Sequence, residues 1–409
     1  MINTELILKT AKSQRQKIEE KSSYYIERDI PAERYKVIPE FARIVTGIRR
    51  SGKSTLLEMN ILSEDDFYLN FEDTALYGFS QSDFMILDDA IARFQNEHKN
   101  CHYLIFDEIQ IVDGWEIYIH QKLDEKYLVC ITGSNASLLS VELGTHLTGR
   151  HLDTEIFPFS YNEYCIFTHS EHNEESFIQY MERGGFPEYL RYNDGEILQR
   201  LFDDILVRDI AVRYKIRDIR TLKVLALYLA SNCGNLITGG KLSAQLGLKT
   251  NVTILEYLSY LERCYLFFYV PRYDFSIKSQ SINPRKVYSI DTGLIRNVSL
   301  SGTKDLGHLF ENVIFIHIRR QTQHIWYYSE QSFECDFLYG RNAVPEFAVQ
   351  ACYELTNENR EREVRGLFET CKLFPDLQPC IVTLRQSDKI SYNGMIIPVM
   401  TAEEFMGKQ

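Results

Sequence analysis

The eight residues Gly47-Ile48-Arg49-Arg50-Ser51-Gly52-Lys53-Ser54 constrain this chain more than any other stretch. They fit the pattern G-x-x-x-x-G-K-[ST], follow the apolar run Arg43-Ile44-Val45-Thr46 and open the helical run Ser54 to Met59, which is the strand–loop–helix setting that the pattern requires. Glycines let the backbone curl so that its N–H groups point at a phosphate at a helix N-terminus. Lys53 can then reach the β and γ oxygens, and the Ser54 hydroxyl can ligate Mg²⁺. A chain built on such a loop needs a parallel sheet behind it.

The surrounding residues supply one. Short apolar runs at 43–46, 67–71, 103–106, 128–131 and 152–157 alternate with helical patterns, the texture of a parallel sheet with crossover helices. One run, His102-Tyr103-Leu104-Ile105-Phe106-Asp107-Glu108, ends in two carboxylates. At the C-terminal edge of a parallel sheet Asp107 can hold Mg²⁺ through water while Glu108 polarises an attacking water. Ile131-Thr132-Gly133-Ser134-Asn135 ends the next run in small polar groups, so Ser134 or Asn135 is expected to hold that water or read the γ-phosphate. Arg150, after Thr148-Gly149, is expected to offer a cation to the transition state, in cis or from a neighbouring subunit.

With these residues in place the chain resembles a large group of prokaryotic AAA+-type ATPases that carry a C-terminal domain of unknown function. The resemblance rests on Thr46 to Thr55, Phe106-Asp107-Glu108-Ile109-Gln110 with Gly114-Trp115-Glu116, Thr132-Gly133-Ser134-Asn135, Gly149-Arg150, Phe157-Pro158-Phe159-Ser160, Gly184-Gly185-Phe186-Pro187-Glu188, and Tyr288 through Leu294. It implies ATP binding and hydrolysis with Mg²⁺, carried over to Lys53, Ser54, Asp107 and Glu108. The expected site is then Gly47, Ile48, Arg49, Arg50, Ser51, Gly52, Lys53, Ser54 and Thr55 around the phosphates and Ser54 and Asp107 on the metal, with Lys53 and Glu108, and from the residue reading above Ser134, Asn135 and Arg150, assisting hydrolysis.

The 409 residues are long enough for two or three domains. The expected organisation is an N-terminal helical segment at 1–30, an AAA+-like P-loop domain at 31–165, a helical lid or linker at 166–220, a winged helix-turn-helix at 221–290, and a small α/β domain at 300–409. The overall fold class is therefore α/β. Gly184-Gly185-Phe186-Pro187 marks a helix break inside the lid. Three helical runs followed by the aromatic strand Tyr265 to Val270 suggest the winged helix.

Charge bears on what that module meets. The net charge of −12 argues against bulk binding to nucleic acid. Residues 208–290, however, carry thirteen basic against five acidic side chains, a net +8, so the charge is segregated. Lys249, Thr250, Asn251 and Thr253 at the start of the last helix, with Arg272 on the wing, are the expected DNA contacts. A protein partner or a homo-oligomer is the other expectation for this module.

In the C-terminal segment Glu311, Glu334-Cys335-Asp336-Phe337 and Gln350-Ala351-Cys352 echo the E…D…(E/Q)-x-K layout of restriction-endonuclease-like folds. Cys352 stands where that layout has lysine and Gln350 where it has a carboxylate, so a degenerate module is expected in place of an active nuclease. Nine scattered cysteines without a C-x-x-C pair suggest a reducing compartment. Met1 to Ser22 lacks the apolar stretch of a signal peptide, and no run approaches the roughly 18 apolar residues of a membrane span. The expected address is the cytoplasm, without membrane contact.

Overall fold

The computed structural model describes residues 2–21, 25–60, 63, 65–133, 149–247, 251–299, 305–341 and 343–407. They form two compact units, Met1–Phe157 and Pro158–Gln409.

The first unit is built on β1 (Ala42–Gly47), β2 (Phe67–Asn70), β3 (Tyr103–Asp107), β4 (Leu128–Gly133) and β5 (His151–Ile156). They pair in the order β2-β3-β4-β1-β5, every pair parallel. Parallel strands need crossovers that cover both faces, which is why the strands read as nearly continuous apolar runs. Ile44, Leu69, Leu104, Phe106, Val129 and Ile131 face a core completed by the helices Thr4–Lys21, Phe84–Glu97 and Trp115–Asp124. Val45, Tyr68, Ile105, Cys130 and Ile156 face the opposite core, where Leu56 and Leu57 of the helix Lys53–Asn60 pack. Because all five strands run one way, Gly47, Asn70, Asp107 and Gly133 end at the same edge of the sheet.

The second unit starts with the helices Tyr161–Thr168, Glu174–Arg183, Pro187–Tyr192 and Gly195–Asp204, the last running on into the π-helix Ile205–Val212. The break at 184–187 falls where the glycines and the N-terminal proline place it. Asp291 accepts hydrogen bonds from the Gly185 N–H at 2.6 Å and the Leu294 N–H at 2.8 Å. A Cβ on Gly293 would lie 1.9 Å from the Arg183 carbonyl oxygen. The Gly-Gly and Asp-Thr-Gly motifs, about a hundred residues apart, thus make one joint that only glycine fits.

Next come the helix Ile219–Ala230, β6 (Leu236–Ile237), the helices Gly239–Gln245 and Asn251–Arg263, β7 (Phe267–Pro271), the short helix Ile277–Ile282 and β8 (Arg285–Ser289). The three strands form an antiparallel sheet in the order β6-β8-β7. The chain continues with the helix Leu306–Gln321, β9 (Ile325–Glu330), β10 (Phe333–Tyr339), β11 (Phe347–Ala351), the helix Arg360–Leu373, β12 (Gln378–Thr383), β13 (Asp388–Tyr392) and β14 (Met395–Thr401). Their sheet has the order β13-β14-β12-β11-β10-β9, parallel at β11–β12 and β12–β14 and antiparallel elsewhere.

The β13–β14 hairpin was not among the elements expected. Its signal is Asn393-Gly394, both at positive φ (46° and 84°), the usual chemistry of a tight hairpin turn. All nine cysteines are free and buried, packing as small apolar groups. Among the described residues no helix is long and apolar enough to cross a membrane.

Candidate functional site

The phosphate loop leaves β1 at Gly47, whose φ is 143°. A Cβ there would lie 2.0 Å from the Ile156 carbonyl oxygen on the neighbouring β5, so the close pairing of the two strands requires glycine. Arg50 (φ 65°) and Gly52 (φ 95°) curl the loop into the helix that begins at Lys53. Backbone N–H groups in such a curl make a concave anion site. Lys53, itself buried, folds back over the loop and donates from Nζ to the carbonyls of Gly47 (3.0 Å) and Ile48 (2.9 Å).

The buried Ser51 hydroxyl finds no partner among the described residues. An orphaned donor inside a curled, glycine-framed loop with an ammonium beside it is chemistry that a nucleotide phosphate satisfies. Arg28 holds the loop from below: its guanidinium donates to the Ser51 carbonyl at 2.9 Å and to the Phe157 carbonyl at 2.7 Å. Sequence reasoning missed Arg28, which lies outside the contiguous motif.

Asp107 ends β3 and is fully buried. One carboxylate oxygen accepts from the Thr132 hydroxyl, and the other from Tyr68 OH (2.9 Å) and Asn70 Nδ2 (3.0 Å). The charge is thereby fixed by donors from β2 and β4, neither of which a local motif reveals.

Glu108 follows in the left-handed region (φ 55°). Its N–H donates to Thr132 Oγ1 at 3.1 Å, and its carboxylate accepts from the side-chain amide of Gln110. Burial pushes the Glu108 carboxyl up to about 7; Lys53 and Arg49 pull it down, and Asp107 and Glu72 add to the rise. A carboxylate of that basicity, near a phosphate loop, is matched to taking a proton from water near neutral pH.

Two expectations fare differently. Ser134 and Asn135 lie outside the described residues. Arg150 is placed against its expected cis role. It precedes β5, and its carbonyl accepts from the Ala42 N–H at the start of β1, so it sits at the N-terminal edge of the sheet. Six residues of strand, about 20 Å, separate it from the end where the phosphate loop lies. There it donates to Asp124 (2.7 Å) and the Glu40 carbonyl (3.1 Å).

The basic segment of the second unit carries less free charge than its sequence suggests. Lys223 pairs with Asp203 (2.6 Å), Arg208 with Asp204 (3.3 Å) and Arg272 with Glu330 (2.9 Å), which takes Arg272 off the expected wing surface. Asn251 accepts from the Ser243 hydroxyl at 2.6 Å, tying the two helices together. Lys249 and Thr250 lie outside the described residues. The exposed face of the helix Asn251–Arg263 presents Val252, Leu255 and Glu256, while Lys215, Arg217, Arg220, Lys241, Lys278 and Arg285 remain exposed around the module.

In the C-terminal segment Glu311, Glu334 and Asp336 gather around a residue from another strand, Lys286. Asp336 is buried and the Glu311 side chain is 12% exposed, and the ammonium of Lys286 on β8 lies 3.1 Å from Glu311, 2.9 Å from Asp336 and 2.7 Å from Glu334. Tyr288 OH, two residues along the same strand, donates to Glu311 at 2.6 Å. Asp336 also accepts from the Ala351 N–H (3.0 Å), and Gln350 donates to Glu363 (2.6 Å). Cys352 is buried, with its thiol on the Glu354 carbonyl, and contributes no charge. In the sequence Lys286 is one of the thirteen basic side chains of 208–290, and nothing local sets it apart.

A curled phosphate loop, a carboxylate pair on the next strand but one, and five parallel strands with β1 between β4 and β5 define a P-loop ATPase domain of the AAA type. An AAA domain family model matches residues 40–165, and a domain of unknown function matches 174–305. The chain belongs to the family of an uncharacterized protein of Methanocaldococcus jannaschii, to which it is 33% identical over 86% of its own length and 83% of the relative's. An uncharacterized protein of Haemophilus influenzae is 31% identical over 79% of this chain and 85% of the other. Among solved structures, the replication initiator DnaA bound to AMPPCP and single-stranded DNA matches with 17% identity and a TM-score of 0.27, covering 55% of this chain and 82% of that one. Cdc6p from Pyrobaculum aerophilum matches with 15% identity and a TM-score of 0.26, over 75% and 95% of the two chains.

Proposed function

We propose that the chain is a nucleotide-driven switch that binds and hydrolyses Mg·ATP at the loop Gly47–Thr55. The observation that carries the reading is the convergence of Lys53, Asp107 and Glu108 at one edge of one sheet, with Glu108 held basic by burial. Backbone N–H groups of 47–52 and the Lys53 ammonium bind the phosphates, and Glu108 takes the proton of the attacking water. Ser54 and Asp107 would hold Mg²⁺, which supplies charge neutralisation on the β and γ oxygens. Ser134 and Asn135 would hold the attacking water or read the γ-phosphate, and Arg150 would serve from a second copy. ATP binding by Lys53→Ala with wild-type affinity would overturn the assignment.

The load is proposed to be the second unit. Three helices with a three-stranded sheet, in the order helix, β6, helix, helix, β7, β8, with the short helix Ile277–Ile282 inserted between β7 and β8, support a winged helix-turn-helix. The helix Leu306–Gln321, then β9 to β11, the helix Arg360–Leu373 and β12 support a nuclease-like module. Contact with DNA would run through the phosphate backbone by way of Lys215, Arg217, Arg220, Lys241, Lys278 and Arg285, with little base reading. A second reading, a docking module for protein, is favoured by exposed Val252, Leu255 and Phe275 on the same module. Duplex DNA binding measured against salt separates them: affinity falling steeply as salt rises supports DNA, and no binding even at low salt supports the protein partner.

A further inference from the structure

Among the described residues of the second unit, the buried ammonium of Lys286 faces three carboxylates, at the place where the proposed nuclease-like module would keep a metal. A lysine has three N–H donors and no acceptor, and Lys286 directs them at Glu311, Glu334 and Asp336, all between 2.7 and 3.1 Å. The side chain is 4% exposed. Burying a lysine or two carboxylates separately is prohibitive, so neither side of this cluster is stable without the other's charge or a replacement for it. Burial works against the ammonium, yet Asp336 and Glu311 beside it hold Lys286 charged well above the ordinary lysine range.

The cradle is also reachable. It forms one wall of a cavity of about 720 Å³ lined by further acids, Asp305, Glu330, Glu354 and Glu363, so cations in solution are drawn to it. Lys286 and Tyr288 point from the same face of β8, two residues apart, and both land on Glu311.

We propose that Lys286 is the resident cation of this cradle: its ammonium takes the place of a divalent metal between Glu311 and Asp336, closes the cradle to metal ions and fastens β8 to the C-terminal domain. The lysine that the strand around Cys352 lacks is thus supplied from a different strand, and it replaces the metal instead of assisting one. Withdrawal of β8 would open a carboxylate pair able to take a divalent cation. The choice of a metal as probe rests on the nuclease-like reading; the burial of Lys286 does not.

The test uses the full chain without nucleotide. Mn²⁺ binding is followed by calorimetry for the wild type, Asp336→Asn, Lys286→Met and Lys286→Met/Asp336→Asn. The expected result is that Lys286→Met gains one Mn²⁺ site, about tenfold tighter than any in the wild type, and that the double variant loses it. Asp336-dependent Mn²⁺ binding by the wild type, or a folded Lys286→Met that binds none, would overturn the proposal. An arm independent of any variant's folding, and of the nuclease-like reading, is amine acylation of the wild type read by mass spectrometry. Lys286 is expected to react at least about tenfold more slowly than exposed Lys278, and equal rates would overturn the proposal.

Discussion

The hydroxyl of Thr132 joins the two acidic residues at the end of β3: it donates to the Asp107 carboxylate and accepts the N–H of Glu108. One side chain on β4 therefore orients the end of β3 and the left-handed residue after it. Thr132→Val keeps the shape and deletes both bonds. It is expected to lower stability by about 1–3 kcal/mol, as an orphaned buried donor does, and to lower kcat more than it raises KM for ATP. Thr132→Ser should restore both. Chemical denaturation and steady-state kinetics of the two variants check this.

As the proposed general base, Glu108 is expected to set the pH dependence of hydrolysis. Its carboxyl is raised to about 7 by burial, and a general base works only when deprotonated. The value of kcat/KM for ATP is expected to rise with pH through about 7 and then level off. The sign for stability is opposite. A carboxyl raised above its unfolded value of 4.5 contributes stability that is complete below 4.5 and is lost as pH rises through about 7. Glu108→Gln should remove that part of the slope in a series of denaturation curves.

Asp291 is structural. Its carboxyl, raised to about 6 by burial, receives the N–H groups of Gly185 and Leu294. Asp291→Ala leaves both N–H groups buried without that acceptor and removes the cap of the helix Thr292–Val298, an expected loss of about 2–4 kcal/mol. ATP affinity should be unchanged. Thermal unfolding and nucleotide titration of the variant read the two effects separately.

Arg150 is paired with exposed Asp124 at the edge of the sheet away from the phosphate loop. Such a surface pair contributes about 1 kcal/mol or less. Arg150→Ala is expected to leave the turnover of the dilute protein within about twofold of wild type. A large loss that appears only at concentrations where the protein self-associates would assign the residue to a neighbouring copy.

What could be read from the sequence was what lies along the chain. The phosphate loop is eight contiguous residues, and the Asp-Glu pair is a strand with its end attached, so both were legible. The donors that fix Asp107 come from Tyr68, Asn70 and Thr132 on two other strands, and no spacing rule connects them. Lys286 is 25 residues from Glu311 and 50 from Asp336, and as a lysine in a basic stretch it read as a surface charge. Arg150 could have been placed better: it precedes a strand parallel to β1, which puts it at the far edge by direction alone. The Gly-Gly-Phe-Pro and Asp-Thr-Gly motifs mark a joint in the second unit, a role that only contact across a hundred residues makes visible.

The most direct test of the account is the turnover of Glu108→Gln with Mg·ATP, measured beside its affinity for the nucleotide. The amide keeps the shape of the side chain but has no proton-accepting charge. The expected result is ATP affinity close to wild type with hydrolysis reduced by about 10²–10⁴-fold. Hydrolysis at the wild-type rate would contradict the assignment of Glu108 as the base and, with it, the proposed switch.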